Sequence, residues 1–118
     1  MNEGPLKSKS YSFAISIVKI SQYLQSDKRE YILQKQLLRS GTAIGALVSE
    51  AQFAQSKADF INKMYVALKE ANETVYWLSL LKDKGYIDDT SHDILSVHCK
   101  ELIAMLASSV KTSKSAMK

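Results

Sequence analysis

The sequence is poor in the residues that interrupt helices. It contains one proline, Pro5, and four glycines among 118 residues. All-β folds need frequent turns, which proline and glycine usually provide, so this scarcity argues against them and favours long helices. With 46% apolar and 24% charged residues, the composition is typical of an ordinary globular protein with one domain.

Cysteine and long apolar runs are also scarce. The single cysteine, Cys99, cannot form an internal disulfide, so nothing indicates an oxidising compartment. No run of about 18 apolar residues is present, and we expect no membrane-spanning helix. The first residues are polar and lack the basic head and apolar stretch of a secretory signal. We therefore expect a cytoplasmic protein.

The excess positive charge lies at the two ends of the chain. The formal net charge is +4, yet residues 10–106 carry eleven basic and eleven acidic side chains. Basic ends can bind the phosphates of nucleic acid, although many soluble proteins carry a basic tail without doing so. The candidate nucleic-acid contacts are Lys7, Lys9, Lys111, Lys114 and Lys118.

Apolar residues recur at three- and four-residue spacings in four segments, which predicts four amphipathic helices. The segments cover residues 8–25, 29–53 and 56–84, and a last one from a cap at 88–90 to 109. Asp27 with Glu30 has the form of a capping box, as has Ser56 with Asp59. Short connections favour an antiparallel up-down-up-down four-helix bundle over residues 1–110. We expect residues 111–118 to form a flexible basic tail.

Two features of the helices indicate contacts beyond a simple core. Gly41, Gly45 and Ser49 give one stretch of the second helix unusually small side chains, which suits close approach of another helix. Apolar residues also extend over more than the arc of about 100° that a monomeric bundle needs, and we expect a homo-oligomer. The residues outside the main core stripes are Tyr31, Ile32, Tyr65, Val66, Tyr76 and Trp77. Aromatic residues could also stack on single-stranded bases, but aromatics at helical spacing are more typical of a core or an interface. These aromatics are Tyr11, Tyr23, Tyr31, Tyr65, Tyr76 and Trp77.

Four charged residues flanked by apolar ones form a candidate structural ion-pair cluster: Arg39, Glu50, Glu70 and Glu73. One interpretation is a carboxylate metal site, but the chain lacks the Glu-x-x-His sequence that such bundles use. The other is a structural cluster in which Arg39 contacts Glu70 or Glu73 and fixes the helix register. If those glutamates are buried, loss of the arginine should cost about 3–5 kcal/mol.

No pattern typical of an enzyme is present. His92 and His98 are six residues apart, so on a helix they point in different directions. Residues 41–45 lack the Gly-Lys-Ser/Thr of a phosphate-binding loop, and no glycine elbow supports a Ser/His/Asp triad. We expect no catalytic residue, cofactor or metal, and interpret Cys99 as a small buried residue.

Several stretches carry a family resemblance. They read QLLRSGTAIGALVSEAQ at 36–52, SKADF at 56–60, ALKEANET at 67–74, WL at 77–78 and KGYI at 84–87. This pattern resembles the bacterial four-helix-bundle family of 23S rRNA intervening-sequence proteins, which are S23 ribosomal protein-like. It is also similar to accessory variability proteins of diversity-generating retroelements.

The resemblance implies a homo-oligomeric ring, typically a pentamer, encoded within insertions of 23S rRNA genes. Arg39, Glu50 and Glu73 match recurrent charged positions of the family, whereas Ala43 and Leu47 stand where serine and asparagine are common. We expect a non-enzymatic bundle that binds RNA or a ribonucleoprotein partner, its basic ends supplying affinity by counterion release. The alternative is a protein–protein interaction scaffold that binds no nucleic acid.

Overall fold

The computed structural model describes residues 4–116, and within them every regular element is an α-helix. The helices are α1 (Gly4–Ser26), α2 (Leu33–Ala51), α3 (Lys57–Asp83) and α4 (Asp89–Ala116). Each helix packs against the next one in the chain, and α1 also packs, less extensively, against α4. The prediction of an all-α four-helix bundle is confirmed. No helix within the described part of the chain is long and apolar enough to cross a membrane.

The helix starts follow from local capping. Ser56 Oγ accepts a hydrogen bond from the Asp59 amide at 3.1 Å and starts α3, as the sequence predicts. The start of α2 differs from the prediction, because α1 continues through Ser26 and Arg29 has a positive φ of 53°. The buried Glu30 carboxylate then accepts hydrogen bonds from three backbone amides, the closest being Gln34 at 2.7 Å. Glu30, rather than Asp27, therefore sets where α2 begins.

The core lies along the axis of the bundle and draws apolar residues from all four helices. Within it, α1 and α2 approach each other closely. A Cβ added to Gly41 would lie 2.8 Å from Ile17 Cγ1, and one added to Gly45 would lie 3.2 Å from the Ser10 carbonyl oxygen. The close helix approach expected from these glycines is present, and it shows that α1 and α2 run antiparallel. The fully buried core side chains include Ile17, Leu24, Leu37, Ile44, Leu78, Leu81, Leu102 and Leu106.

The last helix is longer than the sequence predicts. We expected a flexible tail from residue 111, but α4 continues to Ala116. Val110 is still in the core with 7% exposure, and Lys114 Nζ lies 5.8 Å from the centroid of the Tyr65 ring on α3. Lys114 also sits in the last turn, where a cation suits the helix dipole. These contacts were not visible in the local composition.

Candidate nucleic-acid interface

The start of α1 and the end of α4 lie at the same end of the bundle. A cavity of about 600 Å³ is lined there by the start of α1, the end of α2, the start of α3 and the end of α4, including Leu6, Val48, Phe60 and Met105. We call this region, residues 4–10, 46–65 and 104–116, the basic end. It holds six lysines against two carboxylates, a formal charge of +4. The lysines are Lys7, Lys9, Lys57, Lys63, Lys111 and Lys114.

The opposite end of the bundle has the other sign. It comprises residues 24–34 and 80–93, around the turns between α1 and α2 and between α3 and α4. Six carboxylates there outnumber four basic side chains, for a formal charge of −2. The bundle, 49 Å long and about 20 Å wide, is therefore electrically polarised along its axis. A polyanion should be attracted to the basic end and repelled from the acidic one.

The five candidate lysines differ in their surroundings. Lys9 Nζ lies 2.9 Å from Glu101 Oε2, so part of its charge is neutralised. Lys7 lines a groove between α1 and α2, while Lys114 lies over the Tyr65 ring. Lys111 is exposed on the outer face of α4, and Lys118 lies outside the described residues. Lys57 and Lys63 join this region because α3 begins at the same end of the bundle.

Two exposed aromatic side chains, Phe53 and Tyr65, belong to the basic end, and a third, Tyr11, lies one residue beyond it on α1. Phe53 is 85% exposed, Tyr11 66% and Tyr65 49%. The sequence analysis named the two tyrosines but missed Phe53, because the predicted second helix included it. In the structure α2 ends at Ala51, which leaves Phe53 in the turn before α3. The Phe53 ring is exposed because α2 ends earlier than predicted, and apolar periodicity alone did not locate that end.

A shallow groove lies between α1 and α2, with Tyr11 among its lining residues. It encloses about 590 Å³ and is lined on one side by Lys7, Tyr11 and Ala14 and on the other mainly by small residues of α2. Those small residues are Thr42, Gly45, Ala46 and Ser49. The small residues of α2 that let α1 approach closely therefore also form one wall of this groove on the outer surface. Its lining is largely apolar, and it reaches the basic end at Gly4.

The predicted charged cluster lies between α2 and α3, midway along the bundle. Arg39 donates hydrogen bonds to Glu70, at 3.3 Å, and to Glu73. Trp77 Nε1 donates to Glu73 Oε2 at 2.9 Å. The Trp77 hydrogen bond, supported by the Arg39 guanidinium, lowers the pKa of Glu73 below its usual 4.5. The arrangement is a set of ion pairs and hydrogen bonds that joins the two helices.

Two expectations about this cluster need correction. The Arg39 side chain is 52% exposed, so it is not the buried charge on which the large energetic cost was based. Glu50 is exposed and forms no ion pair with another described residue. Eleven residues separate it from Arg39 on the same helix, a rise of about 16 Å, so both side chains cannot reach the same glutamates.

The remaining reactive groups are dispersed. Cys99 is buried, and its Sγ donates to the Ala71 carbonyl oxygen at 3.2 Å. Burial raises the pKa of this thiol to about 12, which suits a small core residue rather than a nucleophile. Three or more His, Cys, Asp or Glu side chains that could hold one metal ion do not occur together among residues 4–116.

Comparison with known proteins identifies the family to which this bundle belongs. A solved structure from Bacteroides thetaiotaomicron VPI-5482, a protein of unknown function from the S23 ribosomal protein family, superimposes with a TM-score of 0.90 at 46% sequence identity. The match covers 91% of this chain and 99% of that one. No curated protein matches. The family model of the 23S rRNA-intervening sequence protein matches residues 5–108. The chain belongs to the family of 23S rRNA-intervening sequence proteins.

Proposed function

We propose that this protein is a non-enzymatic, homo-oligomeric bundle that binds RNA, or the RNA of a ribonucleoprotein, through its basic end. The observation that carries the proposal is the meeting of both basic chain ends, together with the start of α3, at one end of a bundle whose other end is acidic. The family name supports RNA as the polyanion, since it refers to sequences within 23S rRNA. Such a protein would act in the cytoplasm, where ribosomal RNA is found in bacteria.

Charge would supply most of the affinity. Each lysine that neutralises a phosphate releases a counterion, so the logarithm of the binding constant falls linearly with the logarithm of salt concentration. For a single strand the slope is roughly −0.7 for each phosphate contacted. Removing two of the six lysines should therefore flatten the slope by about 1.4.

Assembly would multiply this effect. Exposed apolar side chains lie on the outer faces of α1 and α4, and include Ile15, Val18, Ile94 and Val97. Contacts between such faces would bury apolar surface, and a pentamer, the state implied by the sequence resemblance, would bring together several basic ends. Each added end raises the local concentration of phosphate-binding groups, so an oligomer should bind a long RNA more tightly than a monomer.

The test is a salt titration of RNA binding on two matched double variants. Lys111→Gln with Lys114→Gln removes two charges from the basic end. Lys82→Gln with Lys84→Gln removes two from the acidic end as a control. We expect the first pair to flatten the salt slope by about 1.4 and weaken binding on the order of tenfold at 0.1 M salt. Equal effects of both pairs would exclude the basic end as the site. Substitution is preferable to truncation, because residues 111–116 belong to α4.

A protein–protein interaction scaffold is the second candidate. The exposed apolar residues of α1 and α4 favour it, because a contact with another protein would remove them from water. If the protein is such a scaffold, the wild-type protein should not bind RNA near 0.15 M salt. The mass of the protein in solution, measured on the same sample, separates self-assembly from recruitment of another protein.

A further inference from the structure

We propose that the basic end binds single-stranded RNA in preference to duplex RNA, with Phe53 as a platform on which an unpaired base stacks. This inference rests on the proposed RNA-binding function and names the class of RNA. Its first support is the ring itself, 85% exposed in a bundle where other phenylalanines are buried or partly buried in the core.

The turn that carries Phe53 is ordered by its own backbone. The Phe53 amide donates to the Glu50 carbonyl oxygen at 3.0 Å, and the Ala54 amide donates to that of Ala51 at 3.2 Å. Ser56 then caps α3, so the turn is fixed at both ends. The ring is therefore presented by a defined backbone, which lowers the entropy lost when a base stacks on it.

The surroundings of Phe53 suit a single strand. Ser49, four residues before Phe53 in the chain, lines the groove that also contains Lys7 and Tyr11. Lys57 begins α3 on the other side of the turn. A strand crossing this end of the bundle would meet both cations and aromatic rings, the combination that binds single-stranded nucleic acid with little dependence on sequence.

The same surface offers less to a duplex. In double-stranded RNA the bases are stacked on one another, and their faces cannot reach Phe53 without unpairing. The lysines can contact the phosphates of either form. Electrostatic attraction alone should therefore bind both forms of RNA, whereas stacking on Phe53 should strengthen the binding of the single strand only.

The experiment compares an unstructured 12-nucleotide oligouridine with a blunt 12-base-pair RNA duplex, using fluorescence anisotropy at several salt concentrations. Phe53→Ala should weaken oligouridine binding at least about fivefold, with an unchanged salt slope and unchanged duplex binding. Phe53→Trp should retain binding. Tyr31→Ala is the matched control, because Tyr31 is also exposed, at 51%, but lies at the acidic end. Since the Phe53 ring contributes little to the core, its removal should leave the fold intact.

Each other outcome overturns a defined claim. If the wild-type protein binds neither RNA near 0.1 M salt, the proposed function fails and this inference fails with it. If oligouridine binds but Phe53→Ala has no more effect than Tyr31→Ala, or the duplex loses as much affinity, RNA binding stands and the stacking platform is wrong. A change in the solution mass of Phe53→Ala would mean that a second copy of the chain, not RNA, covers the ring.

Discussion

Replacing Arg39 with alanine measures how much the cluster between α2 and α3 stabilises the bundle. Arg39 has two carboxylate partners, but 52% of its side chain is exposed, as are 20% of the Glu70 side chain and 35% of the Glu73 side chain. Exposed ion pairs contribute about 0–1 kcal/mol each. We expect Arg39→Ala to lower the free energy of unfolding by about 1 kcal/mol, well below the 3–5 kcal/mol typical of a broken buried pair.

The same contribution should depend on pH and salt. The pKa of Glu73 is lowered in the folded protein, by the Trp77 hydrogen bond first and by Arg39 next. Its contribution to stability is therefore complete above the unfolded pKa of about 4.5 and is lost as the pH falls through the folded value. Wild type and Arg39→Ala should differ at pH 7 and converge in more acidic solution. They should also converge in about 1 M salt, where the Debye length is about 3 Å.

Urea unfolding followed by far-ultraviolet circular dichroism provides the assay. Lys35→Ala is the matched control, because Lys35 is an exposed cation one turn earlier on α2 and should change the stability by less than about 0.5 kcal/mol. The single tryptophan, Trp77, reports on the cluster separately through its fluorescence. A loss of 3 kcal/mol or more that persists in 1 M salt would refute the reasoning from exposure.

Two further predictions concern the core. Gly41→Ala should destabilise the protein by about 1–2 kcal/mol in thermal or urea unfolding, because the overpacking against Ile17 outweighs the better helix preference of alanine. In an Ile17→Ala background, Gly41→Ala should stabilise the protein. If the effects of the two substitutions on the free energy of unfolding simply add, the assigned contact is wrong. Cys99, whose thiol pKa is raised to about 12, should react with a thiol reagent at pH 8 only as fast as the protein opens. Labelling with and without urea measures this, and rapid labelling of the native protein would contradict it.

The sequence predicts the elements whose signals are local. Ser56 caps α3 through a hydrogen bond three residues away, and apolar spacing locates the four helices. The start of α2 was misplaced because a glutamate, Glu30, serves as the cap from inside the connection. The end of α4 was missed because its stabilising neighbour, Tyr65, is 49 positions earlier in the chain. Local composition carries no information about such a contact.

The candidate site could be predicted only in part for related reasons. The lysines near each chain end are evident from the sequence, but their meeting with Lys57 and Lys63 depends on the topology of the bundle. The sequence predicted the contact of Arg39 with Glu70 or Glu73, yet apolar spacing cannot distinguish a half-exposed position from a buried one. Phe53 was assigned to a helix that in fact ends two residues before it.

An even number of helices has a practical consequence for handling this protein. Since α1 begins and α4 ends at the same end of the bundle, any affinity tag, fluorophore linker or fused partner joined before residue 4 or after residue 116 is attached at the basic end. A polyhistidine tag would therefore lie close to the surface that we propose to bind RNA, and a bulky fusion partner would block access to that surface. A label placed in the exposed turn around Gly85, at the far end of the bundle, would avoid that interference.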